Sequence, residues 1–319
     1  MNKVLLLWRK AGMWAVLLII VLVFSIFVPN GKFTSFDNIM NILRQASILG
    51  TAAVGVTFVM ISGSTDLSVG SIIALVGVLC AKLLEMGMNP VLVVVLGILM
   101  GVVASGLNGV LAVALKMSPF IITLAAMSIW TGLAYIISAG KTIYQIPKSF
   151  GQLSQTFLFG KVPVLAIYFL IFVLIGAFIL KKTYFGRYVY ALGGNNEASR
   201  LSGINVNKNR IMIHLLCGVF VGVAGVLLLS RTMIGSGAAA STYAFDCITA
   251  ACLGGISISG GEGKISGTVL GILVIGVLFN GLTLMEVSDF VQQVVKGLIL
   301  ISAVTVDVLQ KRVKIEYKA

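Results

Sequence analysis

Long apolar runs recur from one end of this chain to the other, at residues 13–28, 46–61, 69–84, 91–115, 120–137, 162–180, 211–229, 244–258, 265–285 and 290–309. Nothing constrains a polypeptide more tightly. In lipid every backbone N–H and C=O must be satisfied inside the structure, which leaves helices or closed barrels. A spanning helix takes ~20 apolar residues and a barrel strand only ~9–11, so runs of this length read as helices. Charged residues make up 10% of the 319, and no hydrophilic stretch is long enough to enclose a core of its own. The expectation is an all-α integral membrane protein of about ten transmembrane helices, forming one domain over residues 1–319.

The formal net charge of +13 would suggest a nucleic-acid partner in a soluble chain. Its distribution says otherwise. With the N-terminus inside, Lys3, Arg9 and Lys10, Lys116, the cluster from Lys181 to Arg210, Lys264, and Lys311, Arg312, Lys314 and Lys318 all fall on the cytoplasmic side. The outer segments hold fewer: Lys32, Arg44, Lys82, Lys141, Lys148, Lys161 and Arg231. That asymmetry places both termini in the cytoplasm, with lipid rather than nucleic acid as the surrounding partner. No small-x-small cleavage site follows Phe27-Val28-Pro29, so the first run is expected to stay as a span. Cys80, Cys217, Cys247 and Cys252 lie in apolar runs without a Cys-x-x-Cys pair, which predicts buried thiols and neither metal site nor disulfide. His214 opens a span, where a packed or interfacial histidine is favoured over a proton relay.

Five spans precede the middle of the chain and five follow, so equivalent helices of two halves would run in opposite directions. Aligning Ser68-Val-Gly-Ser-Ile-Ile-Ala-Leu with Ala244-Phe-Asp-Cys-Ile-Thr-Ala-Ala pairs Gly70 with Asp246, Ile72 with Ile248 and Ala74 with Ala250. The same register, with small gaps, pairs Asn108-Gly109 with Asn280-Gly281 and Ser118-Pro119-Phe120 with Ser288-Asp289-Phe290. Inverted repeats are a transporter architecture, and the solute path follows short or interrupted helices at matching positions. The third and eighth spans fit that description. Before the second span, Phe36, Ile39, Met40 and Leu43 form an i, i+3, i+4, i+7 stripe after Ser35, which predicts a separate amphipathic helix on the outer interface. Residues 139–161 are expected to be the longest outer loop.

Three polar stretches invite chemistry. "SGGEGKISG", 259–267, resembles a phosphate loop, but Ile258 stands where the pattern needs glycine and Ile265 where it needs Ser or Thr. It reads as a flexible cytoplasmic turn, and the chain has no nucleotide site. No Ser/His/Asp set or carboxylate pair stands at productive spacing, so no enzyme is expected. In "SGSTDLSVGS", 62–71, Asp66 either caps the third span or places a carboxylate at a membrane-embedded helix break, on the path or in a gate; both readings stay open. Gly70 permits close packing there. Asn108 and Asn280 lie inside apolar spans, where interhelical hydrogen bonding is favoured over contact with solute. Lys296 and Asp307 share the last span, but Asp307 is expected at the cytoplasmic interface, so no intramembrane ion pair joins them.

The third stretch, "GGNNEASRLSGINVNKNR" at 193–210, is a polar island with a helix start and a helix stop. Asn195 and Asn196 are good N-caps, Glu197 suits the first turn, and Gly203 suits the left-handed stop with Ile204 behind it. Ala198 and Leu201 share a face. A short helix is predicted that shows its surface to something.

Three motifs together, the Asp66-Leu-Ser-Val-Gly70 turn, Asn196-Glu-Ala-Ser-Arg-Leu-Ser-Gly-Ile204, and Leu253-Gly-Gly running to Ser259-Gly-Gly-Glu-Gly263, give the chain a resemblance over essentially its whole length. It resembles the permease subunits of bacterial ATP-binding-cassette importers of the ribose, xylose and galactose type. The resemblance implies a homodimer or pseudo-dimer of permeases in the cytoplasmic membrane, a sugar-binding protein outside, and an ATPase with two fused nucleotide-binding cassettes inside. It implies no cofactor and no metal. It also makes 193–204 the coupling helix that docks on the ATPase, with Ser199 where the family usually has alanine. Asp66, Gly70, Asn108, Asp246 and Asn280 are then candidates for the translocation path or gate. The rival readings are a permease for branched-chain amino acids or another small solute, and an ion-coupled secondary carrier.

Overall fold

The computed structural model describes residues 3–316, so Lys318 of the basic tail lies outside the described residues. The chain is almost entirely helical: α1 (Lys3–Phe27), α2 (Phe36–Ile61), α3 (Val69–Glu85), α4 (Pro90–Ala114), α5 (Pro119–Ile137), α6 (Lys148–Gln155), α7 (Val164–Lys182), α8 (Tyr184–Gly194), α9 (Asn196–Leu201), α10 (Val206–Thr232), α11 (Tyr243–Leu253), α12 (Ile265–Leu284) and α13 (Asp289–Glu316). Each of the ten apolar runs falls on a helix. Among the described residues six of these, α2, α4, α5, α7, α10 and α12, are long and apolar enough to cross a membrane. Side chains start the helices as local chemistry requires. Ser35 accepts from Asn38 N–H, Asn89 from Val91 N–H with Pro90 at the first helical position, and Asn205 from Lys208 N–H.

At the centre stand α2 and α10, the most buried of the spanning helices. They are held close by small residues. Gly97-x-x-x-Gly101 on α4 meets Gly218-x-x-x-Gly222 on α10 so closely that a Cβ at Gly101 would lie 2.5 Å from Gly222 Cα. Such spacing lets helix backbones touch, and dispersion replaces the hydrophobic drive that lipid cannot supply. The sequence reading did not single out these glycines. Around this core, α7 packs on α2, and α1 packs on α12. The outward faces are apolar as well, for example Leu99 and Val103 on α4 and Leu174 and Phe178 on α7, as lipid demands.

Several elements differ from the sequence expectation. The stripe at Phe36, Ile39, Met40 and Leu43 is not a separate interfacial helix but the first turns of α2, which runs unbroken to Ile61. No Gly or Pro stands between Leu43 and Ala46 to stop it, and Arg44 lays its guanidinium 5.2 Å from the Phe157 ring centroid. Residues 139–161 are more than a loop. They contain α6 and one strand of a two-residue hairpin, Phe157–Leu158 with Val162–Pro163. The buried Ser154 donates to Leu227 O at 3.1 Å and Ser230 donates to Phe150 O at 2.7 Å, so α6 is fastened to α10. The eighth run ends early, at Leu253, where Gly254 and the left-handed Gly255 stop α11. The turn at 259–267 is packed rather than loose. A Cβ at Gly260 would lie 2.6 Å from Gly63 Cα and 2.9 Å from Gly193 Cα, and Gly261 N–H donates to Ile61 O at 2.8 Å.

Candidate functional site

Two segments enter the bundle from opposite ends and meet inside it. Residues 62–68 start at the junction of Gly63, Gly193 and Gly260 and lead inward to the first turn of α3. Residues 233–242 start at the other end, where Gly235 pairs with Ile143, and run along α3 from Ala81 towards Gly70. A Cβ on Gly70 would collide with Ala240 O, so only glycine admits the contact. The N-termini of α3 and α11 thus approach each other. Irregular backbone at membrane depth is tolerated only where protein or a cavity surrounds it.

Beside each break stands a pair of ionisable groups. Asp66 is fully buried. Its Oδ1 accepts from Ser68 N–H at 2.8 Å and from Ser68 Oγ at 2.6 Å, while Oδ2 faces His214 Nδ1 on α10 at 3.6 Å. Ser68 Oγ in turn accepts from Asn108 Nδ2 at 2.8 Å, and Trp130 Nε1 donates to Asn108 Oδ1 at 3.3 Å. One carboxylate therefore ties the start of α3 to α4, α5 and α10. His214 is packed, as expected, but its partner was not foreseen.

The second pair is Asp246 on the first turn of α11 and Lys296 on α13, 2.9 Å apart. Thr242 Oγ1 donates to the same Asp246 oxygen at 2.9 Å, and the Lys296 ammonium lies 4.7 Å from the Phe279 ring centroid. Lys296 does form an ion pair, with Asp246 and not with Asp307. Asp307 accepts instead from Ser257 Oγ at 3.3 Å. Asn280 forms a reciprocal amide pair with Asn38 on α2, both bonds at 2.9 Å. A lone ionisable residue in an apolar helix needs an opposite partner, and that rule alone could have sent the search from Asp66 and Lys296 to His214 and Asp246.

The polar island folds as its residues dictate. Asn195 Oδ1 accepts from Ala198 N–H at 3.0 Å, α9 occupies six residues, and Gly203 turns left-handed at φ 82°. Ile204 N–H closes the stop on Ser199 O at 3.1 Å. Glu197 pairs with Arg200 on the surface at 2.9 Å. Leu201 is 82% exposed and Ala198 is exposed beside it, while Ser199 turns inward and is buried. In the last turn of the preceding α8 a Cβ at Gly193 would collide with Ile61 O, and Tyr190 donates to Gly263 O at 2.7 Å. Burial pushes the Tyr190 phenol above its ordinary value of 10.0, so this donor keeps its proton through neutral and mildly alkaline pH.

An all-α bundle with apolar outer faces, broken helices meeting in its interior and paired ionisable groups beside each break is a membrane protein of transporter class. Residues 38–304 match the family described as branched-chain amino acid transport system / permease component, and the chain belongs to that family. It is similar to the ribose import permease protein RbsC of Bacillus subtilis (strain 168), 42% identical over 94% of this chain and 92% of that protein. It is also similar to the L-arabinose transport system permease protein AraH of Escherichia coli (strain K12), 38% identical over 97% and 93%. The probable ABC transporter permease protein YphD of the same organism is 40% identical over 94% and 90%. No solved structure matches the chain. The chain is thus a permease of the ATP-binding-cassette importer class.

Proposed function

We propose that this chain is the transmembrane permease of a bacterial importer that brings a monosaccharide of the ribose type across the cytoplasmic membrane. The observation that carries the solute is the likeness, over more than nine-tenths of the chain, to permeases named for ribose and arabinose. In this reading the chain crosses ten times with both termini inside, in two inverted halves. The packing supports the halves: α10 lies against α3 and α4 as α2 lies against α11 and α12. Two copies form the translocator, a separate ATPase with fused cassettes docks beneath, and a binding protein delivers sugar from outside.

The junction of Gly63, Gly193 and Gly260 supplies a mechanical route. The ATPase grips Ala198 and Leu201, α9 moves with it, and α8 carries the displacement to residues 62–68 at the base of the first break and to residues 254–264 after the C-terminal end of α11. Because the backbones there are in contact, a shift of α8 cannot be absorbed by side-chain rotation. Asp66, Gly70 and Asn108 then act as the inner gate's fastening and Asp246 as part of the path, while Asn280 ties α12 to α2. The permease itself does no chemistry; it exchanges inward for outward access.

A branched-chain amino acid is the second reading, prompted by the family's description. The structure offers opposite charges at Asp246 and Lys296, but they satisfy one another at 2.9 Å. A zwitterion would have to part them; a neutral sugar would not. The ion-coupled carrier finds more ionisable groups at membrane depth than the sequence reading allowed, yet each has a partner. Uptake of labelled ribose against labelled leucine, with and without ATP, tests these readings: ribose with ATP supports the importer, and leucine in its place overturns the choice of sugar.

A further inference from the structure

A cavity of about 210 Å³ opens between α2, α10, α11, α12 and α13, lined by Thr242, Tyr243, Asp246, Phe279, Lys296 and Arg231 among others. We propose that it is a binding subsite for one neutral monosaccharide, so that the permease itself takes part in choosing the sugar. This rests on the sugar-importer reading above.

Three observations carry it. The first is position. The cavity lies at the first turn of α11, where the segment entering from one end meets the break at Gly70. Ionisable groups at such depth are costly and mark solute paths.

The second is size. At about 210 Å³ the cavity falls below the ~300–1,000 Å³ of pockets that enclose drug-sized ligands. A single small ring fits that space; a disaccharide does not.

The third is chemistry. Asp246 and Lys296 are paired at 2.9 Å, yet both keep hydrogen-bonding capacity, and the Arg231 guanidinium adds further donors on the cavity wall. The contacts from Thr242 and Lys296 both fall on Asp246 Oδ2, leaving Oδ1 uncommitted to accept a hydroxyl. The ammonium has three N–H groups, one on Asp246 and a second directed at Thr242 Oγ1 at 3.5 Å, leaving a third to donate. Phe279 and Tyr243 supply apolar and aromatic walls for the ring's C–H faces. The Lys296 side chain keeps 25% exposure and lines the cavity.

The experiment uses the permease with its ATPase and binding protein in proteoliposomes, and labelled ribose and arabinose as competing probes. Asp246→Asn and Lys296→Met are expected to lower ribose uptake at least tenfold, because a site built to hydrogen-bond hydroxyls discriminates strongly when a partner is lost. Thr242→Val and Phe279→Leu, which leave the ion pair in place, are expected to shift the ribose-to-arabinose ratio at least threefold. Co-elution with the partners establishes assembly, and should the charge variants fail to assemble, the other two decide. Unchanged uptake and unchanged ratio in the assembled variants overturn the subsite. So does full recovery of both by the charge-reversed pair Asp246→Lys with Lys296→Asp, since a staple tolerates reversal and a sugar contact does not. If the unsubstituted complex imports neither sugar with ATP, the importer reading has failed and the subsite falls with it. That result is distinct from normal import by wild type and variants alike.

Discussion

Asp66 shows what a single residue does here and how little of it lay in the local sequence. Its role at the start of α3 was legible, because Asp followed two residues later by Ser forms a turn in which the side chain takes the backbone N–H. Its other oxygen faces His214, and only the folded bundle brings those two together. Asp66→Asn keeps an acceptor for Ser68 but removes the charge opposite His214. The expected outcome is a complex that assembles normally and takes up sugar at least tenfold more slowly; wild-type uptake by this variant would reduce Asp66 to a cap. Asp66→Ala also leaves Ser68 and His214 without their partner. Leaving the buried Ser68 N–H and hydroxyl without their acceptor costs about 1–3 kcal/mol, so this variant should show a lowered unfolding temperature in detergent. Asn280→Ala strands Asn38 in the same way, at about 1–2 kcal/mol, and the double variant with Asn38→Ala should recover part of that loss.

Among the elements, α9 was readable in outline because caps are local chemistry. Asn195, Gly203 and Ile204 sit where sequence rules put them, although the helix proper is one or two residues shorter than its caps suggested. By contrast α6 was missed, since Lys148–Gln155 is mostly polar and is fixed by Phe150 and Ser154 packing on α10 rather than by its own pattern. The outer stripe ahead of α2 was recognised as helical but wrongly separated, because amphipathicity reports a face and not a boundary. Gly203→Val should strain the left-handed stop and misplace Leu201, and Ala198→Arg should block close docking. Both are expected to insert and dimerise normally, yet to abolish stimulation of the ATPase; intact stimulation would remove α9 from the coupling route. A cysteine at Leu201, which points outward, should cross-link to the ATPase and never to the binding protein. Gly101→Leu should separate α4 from α10 and prevent stable assembly, which size-exclusion chromatography would show directly.

For the molecule as a whole, the order of the apolar helices could be read from hydropathy alone, and the break positions from glycine and polar punctuation. The meeting of the two breaks could not, since it depends on Gly70 admitting Ala240 from a distant segment. The proposed halves place Asn108 on α4 and Asn280 on α12, in matching order, but their partners differ. Asn108 serves Ser68 and Trp130, whereas Asn280 serves Asn38. If 181–210 is cytoplasmic, an impermeant thiol reagent added to intact cells should label a cysteine at Lys141 and leave one at Leu201 untouched. Labelling of Leu201→Cys from outside would overturn the orientation and the coupling route together. The central claim, an ATP-driven sugar permease, is tested most directly by labelled ribose uptake into proteoliposomes holding this chain, its ATPase and its binding protein. The account predicts accumulation that requires ATP and all three proteins. Accumulation by this chain alone, driven by a proton or sodium gradient, would contradict it.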